Sequence, residues 1–295
     1  MVKPFIKWAG GKRQLLKQLV NIVEQNFSNY ENYIEPFVGG GALLLELLPK
    51  SFIINDQNKE LINLYEVVKD YPYELIKLLD IHQKNNSKDY YYSIRNLDRD
   101  KNFEVLDSID ENFKIEKSAR FIYLNKTCFN GLYRVNSKGH FNVPFGNYKT
   151  LNICNINNLL LVSNFLNNSK NKFFNYDFEF VMQFAKPNDL VYFDPPYIPL
   201  ENRNSFTNYT KNGFNLEDQI RLRDCVLKLI LNKVNVLISN SYTKKTIELY
   251  DLDNINSKFN YVIVSANRFI NSNGKNRKAV KEIIIWNKKE IVKND

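Results

Sequence analysis

Short, continuous runs of apolar residues, each ending abruptly at a polar residue or glycine, constrain the fold of this chain more than any other feature. Six such runs occur, at residues 33–37, 52–54, 190–193, 234–238, 261–264 and 283–286. They are shorter than ordinary helices and lack the alternation of half-buried strands. We therefore predict strands that are buried on both faces.

Helical patterns separate these runs. The first run leads into Gly39-Gly40-Gly41 and a predicted helix over 42–48, and the second is followed by apolar residues at helical spacing over 59–79. A further helix is predicted over 217–231, with Asn215 as its N-cap. Strands that alternate with helices in this way predict an α/β fold with a doubly wound, mostly parallel sheet, similar to the Rossmann fold.

The middle third of the chain has a different pattern. Helical spacing dominates there, and two stretches rich in Asn, at 125–148 and 152–175, are predicted as loops. We interpret residues 59–173 as a mainly helical insertion that carries a β-hairpin. Residues 1–58 and 174–295 would together form the sheet domain.

The charge balance indicates an anionic partner. The chain has 41 Lys and Arg residues against 32 Asp and Glu residues, a net charge of +9. Its three cysteines are scattered and it has only two histidines, so we expect neither a disulfide framework nor a metal site. Because the chain shows no signal peptide and no apolar stretch of membrane-spanning length, we expect a cytoplasmic protein without a membrane partner.

The sequence Asp194-Pro195-Pro196-Tyr197 directly follows a predicted buried strand. Its side chains would therefore lie at the carboxyl end of the sheet, where open α/β folds bind ligands. A carboxylate beside a backbone carbonyl can accept both hydrogens of an exocyclic amino group, while Tyr197 stacks on the attached ring. The alternative is a structural proline turn with a capping Asp.

The glycine turn after the first strand matches a dinucleotide-binding fingerprint only in part, because Leu44 occupies the position of its last glycine. Asp56, at the end of the next apolar run, is placed to bind ribose hydroxyls. The incomplete glycine turn and Asp56 together favour a nucleoside cofactor without a diphosphate. The alternative is a glycine turn that serves only the packing of the strand and helix. Gly10-Gly11-Lys12 does not match a phosphate-binding loop, since Arg13 stands where that motif has Ser or Thr.

Two basic segments are candidates for nucleic-acid binding. Residues 129–139 carry turn signals at both ends and contain Arg134, whose guanidinium can hold a guanine through two hydrogen bonds. An apolar side chain such as Phe129 or Leu132 can fill the gap left by a displaced base. Residues 268–281 are basic and contain no acid. An ordinary hairpin and a solvated loop are the respective alternatives.

Five ordered motifs resemble those of the N6-adenine DNA methyltransferases of the Dam type, which modify adenine in GATC. They are Lys7-Trp8-Ala9-Gly10-Gly11-Lys12, 35–41 (EPFVGGG), 130–134 (NGLYR), 141–146 (FNVPFG) and 194–197 (DPPY). The glycine motif comes first and DPPY last, which resembles the alpha class, where the target-recognition domain lies between the two. One departure is Asn147, where the family often has Arg.

The resemblance implies transfer of a methyl group from S-adenosylmethionine to N6 of an adenine flipped out of double-stranded DNA. Residues 194–197, that is Asp194, Pro195, Pro196 and Tyr197, would be catalytic. The cofactor-binding residues implied are Trp8, Ala9, Gly10, Lys12, Glu35, Pro36, Phe37, Gly39, Gly41, Asp56, Asp177, Phe178 and Asp194.

The resemblance also implies DNA contacts, with Lys7 and Arg134 reading bases. Together with the basic segments, the expected DNA-binding residues are Lys7, Phe129, Asn130, Leu132, Arg134, Asn136, Pro144, Tyr148, Arg268, Lys275, Arg277 and Lys278. A separately acting restriction endonuclease is one candidate partner, and we expect a monomer or weak dimer.

Enzymes that methylate other amino groups use the same kind of acceptor motif. Methylation of a different DNA site, of cytosine N4 or of RNA adenine is therefore an alternative. Methylation of cytosine C5 is excluded, because that chemistry uses a Pro-Cys nucleophile and Cys128, Cys154 and Cys225 follow Thr, Ile and Asp.

Overall fold

A seven-stranded sheet forms the centre of the protein. The computed structural model describes residues 2–8, 10, 12, 14–100, 103, 110–148, 150–167, 170–197, 214–267 and 279–288. The strands are β1 (Tyr33–Glu35), β2 (Ser51–Asn55), β3 (Lys170–Phe174), β4 (Leu190–Phe193), β5 (Asn235–Ser241), β6 (Phe259–Asn267) and β7 (Ala279–Asn287).

Helices connect the strands and make up most of the middle third. They are α1 (Leu16–Asn26), α2 (Leu44–Leu47), α3 (Lys59–Asp70), α4 (Pro72–Lys84), α5 (Lys88–Asn96), α6 (Glu111–Thr127), α7 (Ile156–Asn167), α8 (Val181–Phe184), α9 (Leu216–Leu231) and α10 (Lys244–Leu249). Within the ranges given above, no helix is both long and apolar enough to span a bilayer.

The strand order is β3-β2-β1-β4-β5-β7-β6, with β7 antiparallel to both neighbours and the other pairs parallel. β1 therefore has β2 on one side and β4 on the other, and the order reverses at this point. The carboxyl ends of β1 and β4 border the crevice where such sheets bind ligands. The predicted doubly wound, mostly parallel sheet is confirmed.

Successive residues of β4 face two separate apolar cores. Tyr192 packs in the core that contains Leu64 of α3, and Phe193 packs in the core that contains Val226 of α9. Burial on both faces, predicted from the unbroken apolar run, holds for this strand. The same prediction is wrong for β6, an edge strand whose residues at 261–263 are 37 to 40 per cent exposed.

Helix boundaries differ from the sequence prediction in three places. The helix predicted over 59–79 is two helices, because Pro72 lacks an N–H and forces Tyr71 out of helical geometry. The helix predicted over 42–48 is limited to Leu44–Leu47. The helix predicted over 217–231 is confirmed, and Asn215 caps it in a reciprocal pair of hydrogen bonds with Asp218.

The two predicted Asn-rich loops are partly wrong. Residues 152–175 contain α7 and β3, because apolar residues such as Leu159 and Val162 are buried while Asn158 forms hydrogen bonds with the Lys3 backbone. β3 pairs with β2, so the sheet includes residues 170–173, which the sequence division assigned to the insertion. That division otherwise remains a prediction.

The other stretch begins in α6 and continues as an irregular segment with two isolated antiparallel bridges, Cys128 to Phe145 and Val135 to Phe141. The second bridge closes a turn in which the Asn136 N–H donates to the His140 carbonyl at 2.9 Å. A tight turn therefore lies where the hairpin was predicted, but without extended strands.

A buried ion pair attaches this irregular segment to the helices. The guanidinium of Arg120, on α6, lies 2.8 Å from the Asp98 carboxylate, and both side chains are largely buried. The same Asp98 oxygen accepts the Phe141 N–H at 2.7 Å. Arg120 also donates to the carbonyls of Ile94 and Arg95, so the guanidinium is well satisfied.

We predict that Arg120→Met lowers the free energy of unfolding by about 1–3 kcal/mol, because the buried Asp98 carboxylate loses this cation and retains Arg99. A matched control is Arg223→Met, which removes a more exposed pair with Asp224 and should cost about 1 kcal/mol or less. Urea denaturation followed by circular dichroism measures both values. Equal losses for the two variants would contradict this interpretation.

Candidate active site and nucleic-acid interface

Three carboxylates lie at the carboxyl ends of neighbouring strands. Glu35 ends β1, Asp56 follows β2, and Asp194 follows β4. Burial is the main reason that the pKa of Glu35 is raised well above its ordinary value, and the charges of Asp194 and Asp56 add to that rise. The strand order thus brings acids that are distant in sequence into one crevice.

Lys12 supplies the cation of this crevice. Its ammonium is 2.8 Å from Asp194 Oδ1, donates to the Gly10 carbonyl at 2.9 Å, and lies 4.3 Å from the centre of the Tyr197 ring. Burial raises the pKa of Asp194 to about 6, although Lys12 opposes the rise. The N-terminal and DPPY motifs are therefore in direct contact.

The segment 194–197 is held by two residues that sequence analysis missed. Gln219 of α9 donates to the Pro196 carbonyl at 2.8 Å, and its own side-chain oxygen accepts from Asn240 of β5. The Tyr197 hydroxyl donates to Glu282 of β7 at 2.8 Å. No local motif marks Gln219 or Glu282, since each contact joins distant parts of the chain.

Asp56 fixes the glycine turn. One carboxylate oxygen accepts the Gly39 N–H at 3.0 Å and the other accepts the Asn58 N–H at 2.9 Å. Burial raises the pKa of Asp56 to about 6, while these two bonds oppose the rise. Each carboxylate oxygen has a second lone pair, so the group retains acceptor capacity for a ligand.

Trp8 packs directly against the same turn. Gly39 has φ +47°, and a Cβ at this position would lie 2.7 Å from the Trp8 ring, so both conformation and space require glycine. The indole also stacks on Tyr133, with ring centres 5.6 Å apart. Because Tyr133 precedes Arg134, the Trp8 side chain connects the glycine turn to the predicted DNA-reading segment.

An aromatic cluster lies beyond β1. Phe37 stacks on Phe178 with ring centres 5.6 Å apart, and Phe214 meets Phe37 edge-on at 5.7 Å. The neighbouring predicted residue, Asp177, instead lies at the surface, where it pairs with Arg221 at 2.9 Å. The structure therefore separates the side chains of Asp177 and Phe178, although sequence analysis grouped them.

Lys7 is fixed by its backbone. Its N–H donates to the Asn125 side-chain oxygen at 2.8 Å, and its carbonyl accepts from the Asn125 amide at 2.7 Å. The Lys7 ammonium lies 4.5 Å from the centre of the Tyr148 ring. A side chain at Gly131 would collide with Lys7, so this glycine permits the close approach. Sequence analysis missed Asn125, a buried amide on α6.

Several predicted DNA contacts are exposed, among them Phe129, Asn130, Arg134 and Pro144, and the Phe129 N–H donates to the Pro144 carbonyl at 2.8 Å. The Arg134 guanidinium donates to Asn142 at 2.7 Å but remains accessible.

Other predicted DNA contacts differ in exposure. Leu132 and Tyr148 are half-buried. The Asn136 side chain accepts the N–H groups of Lys138 and His140, so it shapes the turn. Ala9, Arg268, Lys275, Arg277 and Lys278 lie outside the described residues.

Comparisons with known proteins identify one enzyme family. The sequence model of the D12 class N6 adenine-specific DNA methyltransferases matches residues 8–270. The chain is 44% identical over 286 residues to the Type II methyltransferase M1.LlaDCHI of Lactococcus lactis subsp. cremoris, covering 97% of this chain and 95% of that protein.

Two further relatives extend the comparison. The Type II methyltransferase M.MjaIII of Methanocaldococcus jannaschii is 42% identical, with 97% of this chain and 99% of the relative covered. The DNA adenine methylase of Haemophilus influenzae is 38% identical, with 96% and 92% covered. The chain belongs to the D12 class of N6 adenine-specific DNA methyltransferases.

Proposed function

We propose that this enzyme transfers a methyl group from S-adenosylmethionine to N6 of adenine within GATC in double-stranded DNA, by flipping the adenine and methylating it directly. The observation that carries the proposal is the contact of Lys12 with both Asp194 and Tyr197 at the carboxyl end of β4. This contact puts an acceptor and a stacking surface side by side in the crevice of the sheet.

The residues of the crevice fit S-adenosylmethionine chemically. Carboxylates of Glu35, Asp56 and Asp194 suit a ligand with an ammonium group, a sulfonium and ribose hydroxyls, and the rings of Phe37 and Phe178 suit an adenine. When bound, S-adenosylmethionine supplies the methyl group as an electrophilic sulfonium. Asp56 is the residue proposed for the ribose, since its oxygens retain acceptor capacity.

The roles of the protein groups follow from their chemistry. Asp194 and the Pro195 carbonyl accept the two N6 hydrogens, which favours a tetrahedral nitrogen with its lone pair directed at the methyl group. The Asp194 carboxylate can also accept the proton that N6 loses. Tyr197 provides the surface on which the flipped base stacks. No enzyme nucleophile is needed.

The exposed surface around Arg134 supports a role in reading the DNA. Lys7 and Arg134 are exposed cations, and the apolar Phe129 and Pro144 are exposed as well, a combination suited to base contacts and to filling the gap left by the flipped base. The net charge of +9 supports affinity for the duplex backbone. The family is specific for adenine in DNA, so cytosine N4 and RNA adenine are not retained as substrates.

The test of site and base uses duplexes that differ only at the target. Purified enzyme and tritiated S-adenosylmethionine are incubated with a GATC duplex, with duplexes carrying one substitution in each position, and with the single strand. We expect label only in the GATC duplex, recovered as N6-methyladenine after digestion to nucleosides. Equal labelling of a substituted duplex would overturn the GATC assignment.

We predict that Asp194→Ala lowers kcat by at least about 100-fold, because the N6 hydrogens lose their charged acceptor. DNA binding, measured by fluorescence anisotropy, should be unchanged. Asp253→Ala, which removes an exposed carboxylate, is the matched control and should retain full activity. Substantial turnover by the Asp194 variant would contradict the mechanism.

We predict that kcat/KM falls as the pH drops below about 6. Burial raises the pKa values of Asp194 and Asp56 to about 6, and Glu282 adds to the rise for Asp194 while Lys12 opposes it. Each carboxylate accepts hydrogen bonds when ionised, so protonation removes the acceptor and activity is retained on the alkaline side. A profile that stays flat to about pH 5, with the protein still folded, would exclude this assignment.

We predict that Arg134→Ala reduces discrimination between GATC and singly substituted sites by about 10- to 100-fold, because a bidentate base contact is lost. Lys138→Ala, which removes a neighbouring exposed cation, should instead weaken binding to all duplexes equally and reduce its salt dependence. Ratios of kcat/KM across the duplex set measure both effects. Unchanged ratios for the Arg134 variant would remove this residue from site recognition.

A further inference from the structure

Glu282 is the one acidic side chain of β7, and it lies beside the catalytic segment. It is paired in register with Ser241 of β5 and with Val264 of β6, so strands flank it on both sides. Its carboxylate accepts the Tyr197 hydroxyl at 2.8 Å. The family match ends at residue 270, so this contact comes from outside the matched stretch.

The hydrogen bond has a defined direction. Burial, together with the charges of Asp194 and Glu282, raises the pKa of Tyr197 well above its ordinary value. The phenol therefore stays protonated and donates, while the carboxylate accepts. Hydrogen bonds to an ionised acceptor are about twice as strong as neutral ones, so this contact restrains the ring more than an ordinary hydroxyl bond would.

Three elements converge on the end of the DPPY segment. Gln219 of α9 holds the Pro196 carbonyl at 2.8 Å, and the Lys12 ammonium lies over the Tyr197 ring. Glu282 fixes the far end of the same ring through its hydroxyl. Because a phenol ring rotates about two side-chain torsions, restraint at the backbone alone leaves the position of the ring undefined. The bond at the hydroxyl fixes the direction of the ring axis, and the Lys12 ammonium over the ring face restrains the ring plane.

We propose that Glu282 is a positioning residue for adenine methylation, which acts by holding the axis of the Tyr197 ring in the position where the flipped adenine stacks on it. This inference rests on the proposed base-flipping function and adds to it a residue from the antiparallel part of the sheet. Glu282 contacts the substrate only through Tyr197.

The test uses duplexes with the fluorescent analogue 2-aminopurine in place of the target adenine, whose emission rises when the base leaves the stack. Full-length Glu282→Ala is expected to reduce that rise. On the unmodified GATC duplex, it is expected to lower kcat by about 10- to 100-fold, with the KM for DNA changed less than threefold. Glu282→Gln keeps a side-chain acceptor and is expected to recover most of both signals. Glu248→Ala, on an exposed face of α10, is the matched control.

A second variant approaches the contact from the other side. Tyr197→Phe keeps the ring but lacks the hydroxyl, so it should reproduce the losses of Glu282→Ala. The double variant should be no worse than the more impaired single variant, because both remove the same bond. Thermal unfolding of each variant identifies any loss of fold, in which case Tyr197→Phe and Glu282→Gln carry the test.

Two results would overturn the inference. Folded Glu282→Ala with wild-type fluorescence and kcat would show that the carboxylate does not position the ring, and strictly additive losses in the double variant would show that it acts independently of the Tyr197 hydroxyl. If instead the wild-type enzyme fails to increase 2-aminopurine emission, the base-flipping proposal is wrong, which is a distinguishable failure.

Discussion

The buried ammonium of Lys12 joins parts of the chain that are far apart in sequence. It pairs with Asp194 at 2.8 Å and covers the Tyr197 ring, so the N-terminal segment is attached to the loop after β4. Removing a cation and a carboxylate from water carries a large desolvation cost, which close pairing and the Gly10 carbonyl offset. Burial outweighs this pairing, so the pKa of Asp194 stays raised, to about 6. The same ion pair therefore organises the crevice and limits the rise in the pKa of its acid.

The N-terminal segment serves the two halves of the site together. Lys7 is attached to α6 through both of its backbone polar groups, whereas the adjacent Trp8 packs between the glycine turn and Tyr133. A displacement of the predicted DNA-reading segment would therefore be transmitted to the glycine turn through the stacked rings of Tyr133 and Trp8. Packed aromatic rings resist such displacement, because interiors are dense and have few alternative arrangements.

The sequence predicts the acids of the crevice because their positions follow from short-range rules. Asp194 comes directly after an apolar run, Asp56 comes two residues after one, and the carboxyl ends of parallel strands share one edge. Gln219, Glu282 and Asn125 escaped prediction because each acts through a contact with a distant residue, and none belongs to a local motif. The Asn content of residues 152–175 predicts a loop, whereas the structure has a helix and a strand there. The spacing of the buried Leu159 and Val162 is the helical signal that the composition obscures.

The position of β7 has a consequence for the order in which the enzyme can be completed during synthesis. β7 follows β6 in sequence but lies between β5 and β6 in the sheet. In a growing chain that still lacks β7, one edge of β5 has no partner strand. β6 has no strand to pair with either, because its neighbour in the sheet is β7. The sheet closes only when this strand inserts, and the same event brings the Glu282 carboxylate to Tyr197. Chains that end before β7 therefore lack the contact that holds the Tyr197 hydroxyl in the complete sheet.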